Sequence, residues 1–364
     1  MKNTTLEVNT QKFLNNIKKI QNYVGNKTIM PIIKANAYGT YINKNLKILN
    51  YFNIVAVAEV QEAIEIRKLG YEKEIFVLNQ PAIEEIQDIY KYNITIGISE
   101  IEFLKHINLP LKVHLEIETG MNRTGIYLKD LTNFIEEIRK NQNIKVEGIY
   151  THFSSADSDR EYSLKQLEIF KKAVEIGKKE YDFKYIHCSA SNGLMNIKED
   201  ISNTVRPGII MYGYESFKGA KEIIPVEPIT TLKTKITYLK EIEAGEAISY
   251  NQKFVTKEKM KVATIPIGYA DGLRRELTGI GEVVVKKEKR KILGAICMDS
   301  CMIDVTGLDC KVGDIVEIWD NQNITIEEIA KNCNTINYEI ISTISDRVER
   351  KWIEESIWQK KKRC

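Results

Sequence analysis

The sequence predicts an α/β protein with two domains: a closed (β/α)8 TIM barrel in residues 1–229 and a mostly antiparallel β domain in residues 230–364. Short apolar runs alternate with amphipathic helical stretches in the first part, as a parallel sheet with crossover helices requires. Eight such units are present, the number that closes a barrel, although a doubly wound open sheet also fits this pattern. After about Pro228 the rhythm changes to short β-rich runs separated by Gly or Asp turns.

The predicted barrel strands are eight apolar runs. In chain order they are Thr28–Ile33, Ile54–Val57, Ile75–Leu78, Ile94–Ile98, Leu111–Ile117, Val146–Tyr150, Tyr185–Cys188 and Thr204–Arg206. The intervening helical stretches include Glu59–Leu69, Leu128–Lys140 and Glu161–Lys179. Apolar residues recur there every three or four positions, which is typical of helices packed on one face.

The β domain is predicted from six further runs. They are Lys233–Ile242, Lys261–Pro266, Glu282–Val285, Lys291–Cys297, Met302–Val305 and Ile315–Ile318. One stretch, Thr325–Ala330, is predicted to be helical, because Thr325 and Glu328 have the spacing of a capping box. No low-complexity linker separates the two parts, so we expect the domains to pack against each other.

Composition excludes several classes of protein. Lys+Arg 53 against Asp+Glu 50 gives a net charge of +3, so the bulk charge predicts no nucleic-acid partner, and the basic tail at 360–363 is expected to be a solvated end. No apolar run reaches the roughly 18 residues of a membrane span, and no secretory leader is visible. The six Cys form no CxxC pair and only 4 His are present. We therefore expect reduced thiols, no metal site and a cytoplasmic location.

The first string that suggests chemistry is IKANAYG, which places Lys34 directly after the first predicted barrel strand. A Lys there is either an edge residue with its amine in solvent or a buried amine. Catalytic groups collect at the carboxyl ends of barrel strands. A desolvated Lys has a lowered pKa and can form an imine with a carbonyl cofactor.

IKANAYG resembles the pyridoxal-phosphate lysine motif of the alanine racemases. The resemblance continues in order along the chain in ETGMNRTG (118–125), YTHFSSAD (150–157), VRPGIIMYG (205–213), AISYNQKF (247–254), IGYADG (267–272), ICMDS (296–300) and TINYEIISTIS (335–345). It implies an isomerase that interconverts L- and D-alanine with pyridoxal 5'-phosphate, in the service of D-alanine and cell-wall synthesis. It also implies a TIM barrel followed by a β domain, in a homodimer with shared active sites.

The resemblance assigns two acid/base residues. Lys34 would hold the cofactor and exchange the α-proton on one face of the substrate. Tyr250 would act on the opposite face, in the active site of the other subunit. A phenol with a pKa near 10 is a poor base until positive charge lowers that pKa. Taken alone, Tyr250 could equally be an amphipathic strand residue with a hydrated hydroxyl.

Further residues would bind the cofactor by resemblance. Arg206 would face the pyridine nitrogen, and His152 and His187 would line the ring and support Arg206. The set expected at the phosphate is Tyr38, Ser191, Gly208 and Ile209. Here the chain departs from the family string HxANS, because Ala190 stands where Asn is common. The two histidines could also be ordinary residues at the mouth of a barrel.

On the substrate side, Arg123 matches an Arg that reaches the catalytic Tyr and the substrate carboxylate. Many members have a carbamylated Lys seven residues earlier, where this chain has Glu116. We hypothesise that the Glu116 carboxylate supplies the same negative charge, although Glu116 could be only an edge-strand charge. Met298 and Asp299 would line the substrate end, and Tyr269 the access corridor.

The last departure concerns the substrate. The family pattern ISYRVPR reads Ile344-Ser345-Asp346-Arg347-Val348-Glu349-Arg350 here. Asp346 replaces a Tyr that crowds the substrate side chain, and related serine racemases carry a small polar residue there. A serine or broad-specificity racemase therefore remains an alternative. A basic amino-acid decarboxylase fits less well because ICMDS does not match its cysteine motif, and a single-barrel pyridoxal-phosphate carrier would lack residues 231–364.

Overall fold

The structure, a computed structural model, describes residues 4–354. The basic tail at 360–363 lies outside the described residues. The first part of the chain forms the strands Thr5–Asn9 (β1), Thr28–Ile29 (β2), Ile54–Val57 (β3), Glu74–Val77 (β4), Thr95–Ile98 (β5), Leu111–Glu118 (β6), Ile126–Tyr127 (β7), Ile144–Tyr150 (β8), Tyr185–His187 (β9) and Thr204–Val205 (β10). The second part forms Thr230–Lys235 (β11), Tyr238–Ile242 (β12), Ala247–Ile248 (β13), Phe254–Val255 (β14), Met260–Ile265 (β15), Glu282–Val285 (β16), Glu288–Leu293 (β17), Cys301–Asp304 (β18), Ile315–Trp319 (β19) and Glu349–Ile353 (β20).

Helices connect most of these strands. They are Thr10–Val24 (α1), Lys34–Tyr38 (α2), Leu46–Leu49 (α3), Val60–Lys68 (α4), Ile86–Lys91 (α5), Ile101–His106 (α6), Leu131–Arg139 (α7), Arg160–Gly177 (α8), Ser191–Asn196 (α9), Ala220–Ile223 (α10), Ile326–Asn332 (α11) and Asn337–Ser342 (α12). Short 3-10 turns cover Ile42–Lys44, Ile83–Glu85, Ile209–Tyr212, Tyr250–Gln252, Tyr269–Asp271 and Arg275–Leu277. No helix in residues 4–354 is both long and apolar enough to span a bilayer.

Eight parallel strands form the barrel. The strands β3, β4, β5, β6, β8 and β9 pair in that order, and β10 pairs with β2. Two backbone hydrogen bonds close the ring: the Ile33 N–H donates to the Ala56 carbonyl at 2.9 Å, and the Arg206 N–H donates to the Ser189 carbonyl at 2.9 Å. The predicted barrel is confirmed, and the open doubly wound sheet is wrong. Each predicted strand overlaps an observed one.

The barrel strands are buried on both faces, as parallel strands covered by helices should be. All four residues of β3 and all four of β5 are buried. The covering helices bury one stripe each. In α7 the buried positions are Leu131, Phe134, Ile135 and Ile138, spaced three or four residues apart.

The second domain is built on a mostly antiparallel sheet of nine strands, as predicted. Their order is β12, β15, β18, β17, β16, β19, β11, β1 and β20. The strand β1 pairs antiparallel with β11 and parallel with β20. The sequence analysis grouped residues 5–9 with the barrel, whereas they complete the second sheet. The predicted run 233–242 is two strands, β11 and β12.

Two helices follow the last antiparallel strands. The helix α11 begins as predicted, because the Thr325 side chain accepts the Glu328 N–H. The helix α12 was not predicted, and it packs closely on the turn that follows Lys34. A Cβ on Gly39 would lie 2.5 Å from the Ile341 carbonyl oxygen, and Gly39 has a φ of +76°. Glycine is therefore required where α12 meets the barrel mouth.

Candidate active site

One cavity of about 370 Å³ opens at the carboxyl ends of the barrel strands. Its wall contains eight residues that the sequence analysis assigned to the site: Lys34, Tyr38, Glu116, Arg123, His152, Ser191, Arg206 and Gly208. The β domain of the same chain closes one side with Tyr338 and Ser342 from α12. Residues far apart in sequence therefore meet at the end of a barrel where enzymes of this architecture bind substrates.

Lys34 lines the cavity, and the pKa of its amine is lowered. Burial lowers its pKa, the positive charge of Arg123 lowers it further, and the carboxylate of Glu62 raises it in part. A lowered pKa makes the neutral, nucleophilic amine more abundant near neutral pH. The Lys34 side chain is partly buried, and its lowered pKa favours a desolvated amine over an edge residue with its amine in solvent.

Arg206 is the main buried cation of the cavity wall, with 2% of its surface exposed. Its Nη1 donates to His187 Nδ1 at 2.6 Å and to the His187 carbonyl at 2.7 Å. Its Nη2 donates to the Thr151 carbonyl at 2.6 Å and faces His152 Nδ1 at 3.4 Å. No carboxylate in residues 4–354 forms an ion pair with it. Backbone carbonyls and imidazoles therefore hold this guanidinium in place.

The hydrogen bond from Arg206 determines the tautomer of His187. A guanidinium only donates, so His187 accepts at Nδ1 and carries its proton on Nε2. That Nε2 lies 2.9 Å from Nδ1 of His114, a residue of β6. Burial and the Arg206 charge lower the pKa of His152 and that of His114 to about 3 each, and that of His187 well below its ordinary value. All three imidazoles are neutral, which keeps Arg206 the charged member of the network.

A second part of the cavity presents hydroxyl and amide groups. The Ser191 Oγ accepts the Gly208 N–H at 2.9 Å. A Cβ on Gly208 would come within 2.5 Å of Tyr38 Oη, so a larger residue would fill this space. Ile209 follows with its side chain buried in the core and does not line the cavity. Asn192 also lines the cavity, and its buried Oδ1 has no hydrogen-bond partner in the described residues.

Glu116 is buried at the wall beside Arg123. The Thr124 hydroxyl donates to one carboxylate oxygen at 2.9 Å, and the other oxygen has no hydrogen-bond partner in the described chain. Burial raises the pKa of Glu116, while Thr124 and the Arg123 charge lower it. Within residues 4–354, no ion pair of 4.0 Å or less joins Glu116 to Arg123. The interaction between the two is therefore electrostatic at longer range.

The remaining predicted residues lie on loops of the β domain, outside this cavity. Tyr250 is 67% exposed, and Tyr269 and Met298 are also exposed. Backbone and side-chain bonds tie their loops together: the Ser249 hydroxyl donates to the Ala295 carbonyl at 2.6 Å, and the Tyr269 N–H donates to the Cys297 carbonyl at 3.1 Å. These loops form one exposed group, which we call the Tyr250 surface (residues 249–250, 269–270 and 295–299).

Two acidic residues of the predicted site make contacts within the chain. Asp299 forms an ion pair with Arg347 at 2.6 Å. Asp346 accepts a hydrogen bond from the Tyr41 hydroxyl. Neither residue lines the cavity around Lys34. Their predicted roles, substrate binding for Asp299 and substrate selection for Asp346, stay predictions.

Sequence reasoning missed several side chains that shape the site. Tyr150 stacks on His187 with ring centroids 5.0 Å apart, and Arg206 lies 5.6 Å from the Tyr150 centroid. Glu62 contacts the turn after Lys34 through the Ala35 N–H, at 2.6 Å. Tyr150 could have been found, because it ends a barrel strand immediately before Thr151 and His152. The Glu62 side chain gave no signal beyond its place in an amphipathic helix.

Comparisons with known proteins agree over most of the chain. The family model described as alanine racemase, N-terminal domain, matches residues 8–216, and the C-terminal domain model matches residues 229–352. The alanine racemase of Halothermothrix orenii is 36% identical, over 93% of each chain. The solved structure of alanine racemase from Clostridium difficile 630 has a TM-score of 0.92 at 34% identity, covering 97% of this chain and 96% of that one. The alanine racemase structure from Bacillus anthracis with bound L-Ala-P has a TM-score of 0.92 at 30% identity, covering 98% and 96%.

The fold and cavity therefore define a protein of the barrel-plus-β-domain class, with a lysine and an arginine at the barrel mouth. Two family models and a relative above 30% identity make the assignment specific. The chain belongs to the alanine racemase family.

Proposed function

We propose that this chain is an isomerase that interconverts L- and D-alanine with pyridoxal 5'-phosphate held by Lys34. One observation carries the proposal. The partly buried Lys34 and the buried Arg206 guanidinium line a single cavity at the carboxyl end of a barrel, in a chain of the alanine racemase family.

The residues present fit this cofactor. Lys34 supplies an amine of lowered pKa for the aldehyde. The Ser191 and Tyr38 hydroxyls would supply donors for a phosphate, and the missing side chain of Gly208 leaves the space beside Tyr38 open. Arg206 supplies a fixed donor for the pyridine nitrogen.

Pyridoxal phosphate, when bound, withdraws electrons from the α-carbon of an amino acid and makes its proton acidic. The chain supplies the groups that move that proton. Lys34 Nζ is the first of them, because its lowered pKa lets the amine accept and return a proton near neutral pH. Arg206 keeps its own proton and acts only as a donor. It therefore limits electron withdrawal and favours return of the proton over transamination.

Racemisation requires a second acid/base on the other face of the substrate. We assign it to Tyr250, in a homodimer where Tyr250 of one subunit reaches the Lys34 cavity of the other. The exposure of Tyr250 and the ties among the loops of the Tyr250 surface support this assignment. Met298, Asp299 and Tyr269 would then contribute to the substrate end and the access corridor. Arg123, already at the cavity wall, would bind the substrate carboxylate.

The free thiols Cys188, Cys301, Cys310 and Cys333 are buried in the described chain, and this supports a reducing, cytoplasmic environment. By the family's usual use, we infer that the D-alanine supplies cell-wall synthesis, with amino-acid breakdown as the other role such an enzyme can serve. The partners are then a small amino acid and a second copy of this chain.

Chiral product analysis tests the proposed activity. Purified protein is incubated with L-alanine in deuterium oxide, with and without added pyridoxal phosphate, and the products are separated on a chiral column. We expect D-alanine to form with deuterium on the α-carbon. Decarboxylation would give ethylamine, and a pyridoxal-phosphate carrier would give no new product; either result contradicts the proposal.

A further inference from the structure

The segment after Lys34 has an unusual backbone. Ala35, Asn36, Ala37 and Tyr38 have φ values of 51°, 52°, 52° and 56°, so four successive residues other than glycine are left-handed. Such a conformation costs roughly 1–2 kcal/mol for each residue with a Cβ. Tertiary contacts must hold this turn, and Lys34 is its first residue.

Glu62 contacts the start of the turn. One carboxylate oxygen accepts the Ala35 N–H at 2.6 Å, and the other accepts the Ala58 N–H at 2.8 Å and the Glu59 N–H at 3.3 Å. The same carboxylate completes the capping box of α4. Glu62 therefore joins a helix on the barrel to the first amide after Lys34.

Arg350 contacts the end of the turn. Its Nε donates to the Gly39 carbonyl at 2.9 Å. Its Nη1 donates to the Ser345 carbonyl at 2.5 Å and the Val348 carbonyl at 2.7 Å. Because Arg350 lies in β20, the second end of the turn is fixed by the β domain.

We propose that Glu62 is a positioning residue for Lys34: its carboxylate holds the first amide of the left-handed turn, while Arg350 holds the last carbonyl. The Lys34 side chain then faces the cavity because its turn is fixed from both sides. This inference rests on the proposed function only in taking Lys34 as the reacting amine.

The Glu62 carboxylate also affects the pKa of Lys34 through its charge. Burial and Arg123 lower the pKa of Lys34, and Glu62 is the group that opposes them. An uncharged acceptor, such as an amide, would still accept one N–H, but it would no longer raise the pKa of Lys34. It would also turn an N–H donor toward the Ala58 or Ala35 amide, where an acceptor is needed.

Three variants separate geometry from charge. Glu62→Gln keeps the size and removes the charge. Glu62→Asp keeps the charge and shortens the reach. Glu65→Gln is the matched control, because Glu65 is an exposed carboxylate on the same helix. Far-ultraviolet circular dichroism and thermal unfolding establish that each full-length variant is folded.

The main readout is the reactivity of Lys34 toward acetic anhydride as a function of pH. Cofactor-free, full-length protein is labelled, and the Lys34 peptide is quantified by mass spectrometry. We expect Glu62→Gln to move the midpoint of labelling down by roughly half a unit to one unit, because a nearby negative charge is lost. Glu62→Asp should keep a midpoint close to that of the native chain. Both should reduce kcat/KM about tenfold, because the turn is held less firmly.

An unchanged labelling midpoint in folded Glu62→Gln, or a loss of activity equal to that in Glu65→Gln, would overturn the inference. The proposed function fails separately. Borohydride reduction of the holoenzyme fixes the cofactor to its lysine, and a label on any lysine other than Lys34 would contradict that function whatever Glu62 does.

Discussion

The barrel mouth and the Tyr250 surface differ in how complete they are within one chain. At the barrel mouth, Lys34, His152 and Arg206 come from three different strand ends, yet they line one cavity and are held by bonds within the chain. On the Tyr250 surface the loops are tied to each other, while the side chains of Tyr250 and Met298 extend outward. The comparison separates a cavity that one chain completes from an exposed surface, for which we propose a second copy of this chain as the partner.

The largest expected effects come from the two proposed acid/base residues, Lys34 and Tyr250. Lys34→Ala and Tyr250→Phe should each lower kcat by about a thousandfold or more, because each removes a proton-transfer group. Co-expression of the two variants should restore activity. A mixed dimer has one site with both native residues, and random assembly makes about half of the dimers mixed, so about a quarter of native activity is expected. Racemase assays on the co-expressed mixture measure this fraction, and mixed dimer purified through two separate tags should have about half of native activity, because one of its two sites is complete.

Tyr238→Phe is the control for this experiment, since Tyr238 is an exposed tyrosine of β12 outside the Tyr250 surface. It should retain native activity, because loss of an exposed hydroxyl outside the Tyr250 surface removes no group of the proposed site. Absence of activity in a verified mixed dimer would mean that the two regions do not serve one site.

The Glu116 hypothesis predicts a smaller effect, at the barrel mouth alone. Glu116→Ala should lower kcat/KM by about ten- to a hundredfold, because Arg123 loses a nearby negative charge in a buried site. Glu116→Gln keeps the shape and should lose most of the same activity, whereas Thr124→Val removes only the 2.9 Å hydrogen bond and should lose less. Steady-state kinetics with both alanine enantiomers distinguish these variants. Native turnover in Glu116→Ala would remove the hypothesis.

The neutral histidines of the barrel predict a pH dependence of stability. The pKa is about 3 for His114 and His152 in the folded chain, against 6.5 as the ordinary value. Between these limits the unfolded chain binds more protons, so the stabilisation is complete above about pH 6.5 and is lost as the pH falls toward 3. Each histidine should contribute a loss of about 1.4 kcal/mol per pH unit in that window.

Urea unfolding at pH 7, 6, 5 and 4 measures this slope. In the native chain the His114 ring stacks on Phe76 with ring centroids 4.3 Å apart, and His114→Phe keeps a ring at this position. The variant should reduce the slope of unfolding free energy against pH by the contribution of one histidine. An equal slope in His114→Phe would show that acid destabilisation has another source.

The two regions also differ in how far sequence predicts them. The eight barrel strands follow from apolar runs, and the cavity residues follow strand ends, so pattern and resemblance together found most of the barrel mouth. The left-handed turn at residues 35–38 could not be predicted, because Ala and Tyr carry no local signal for φ > 0, a single Asn predicts only one such residue, and distant side chains hold the turn. The strand β1 was missed because its partners, β11 and β20, lie more than 200 residues away. The proposed partner of the Tyr250 surface could not be predicted from the residue pattern, because the periodicity of one chain does not indicate which surfaces of two chains meet.

The smallest expected effect concerns substrate choice. Asp346 stands where the family pattern has Tyr, and its carboxylate accepts the Tyr41 hydroxyl, whose ring lies 4.7 Å from the Arg350 guanidinium. If the smaller residue leaves room for a hydroxymethyl group, the native chain should racemise serine as well as alanine. Asp346→Tyr should then lower the serine-to-alanine ratio of kcat/KM by about three- to tenfold, the range expected when a pocket loses space for one small group.

Tyr41→Phe is the matched control for Asp346→Tyr. It keeps the ring beside Arg350 and removes only the hydrogen bond to Asp346. Because this change leaves the size of residue 346 as it is, the serine-to-alanine ratio should change less than in Asp346→Tyr. Chiral chromatography of both amino acids gives the ratio for each protein. If the native enzyme strongly prefers alanine and Asp346→Tyr does not change this preference, the hypothesis of serine racemisation is rejected. The residues around Lys34 would then determine which amino acid is accepted.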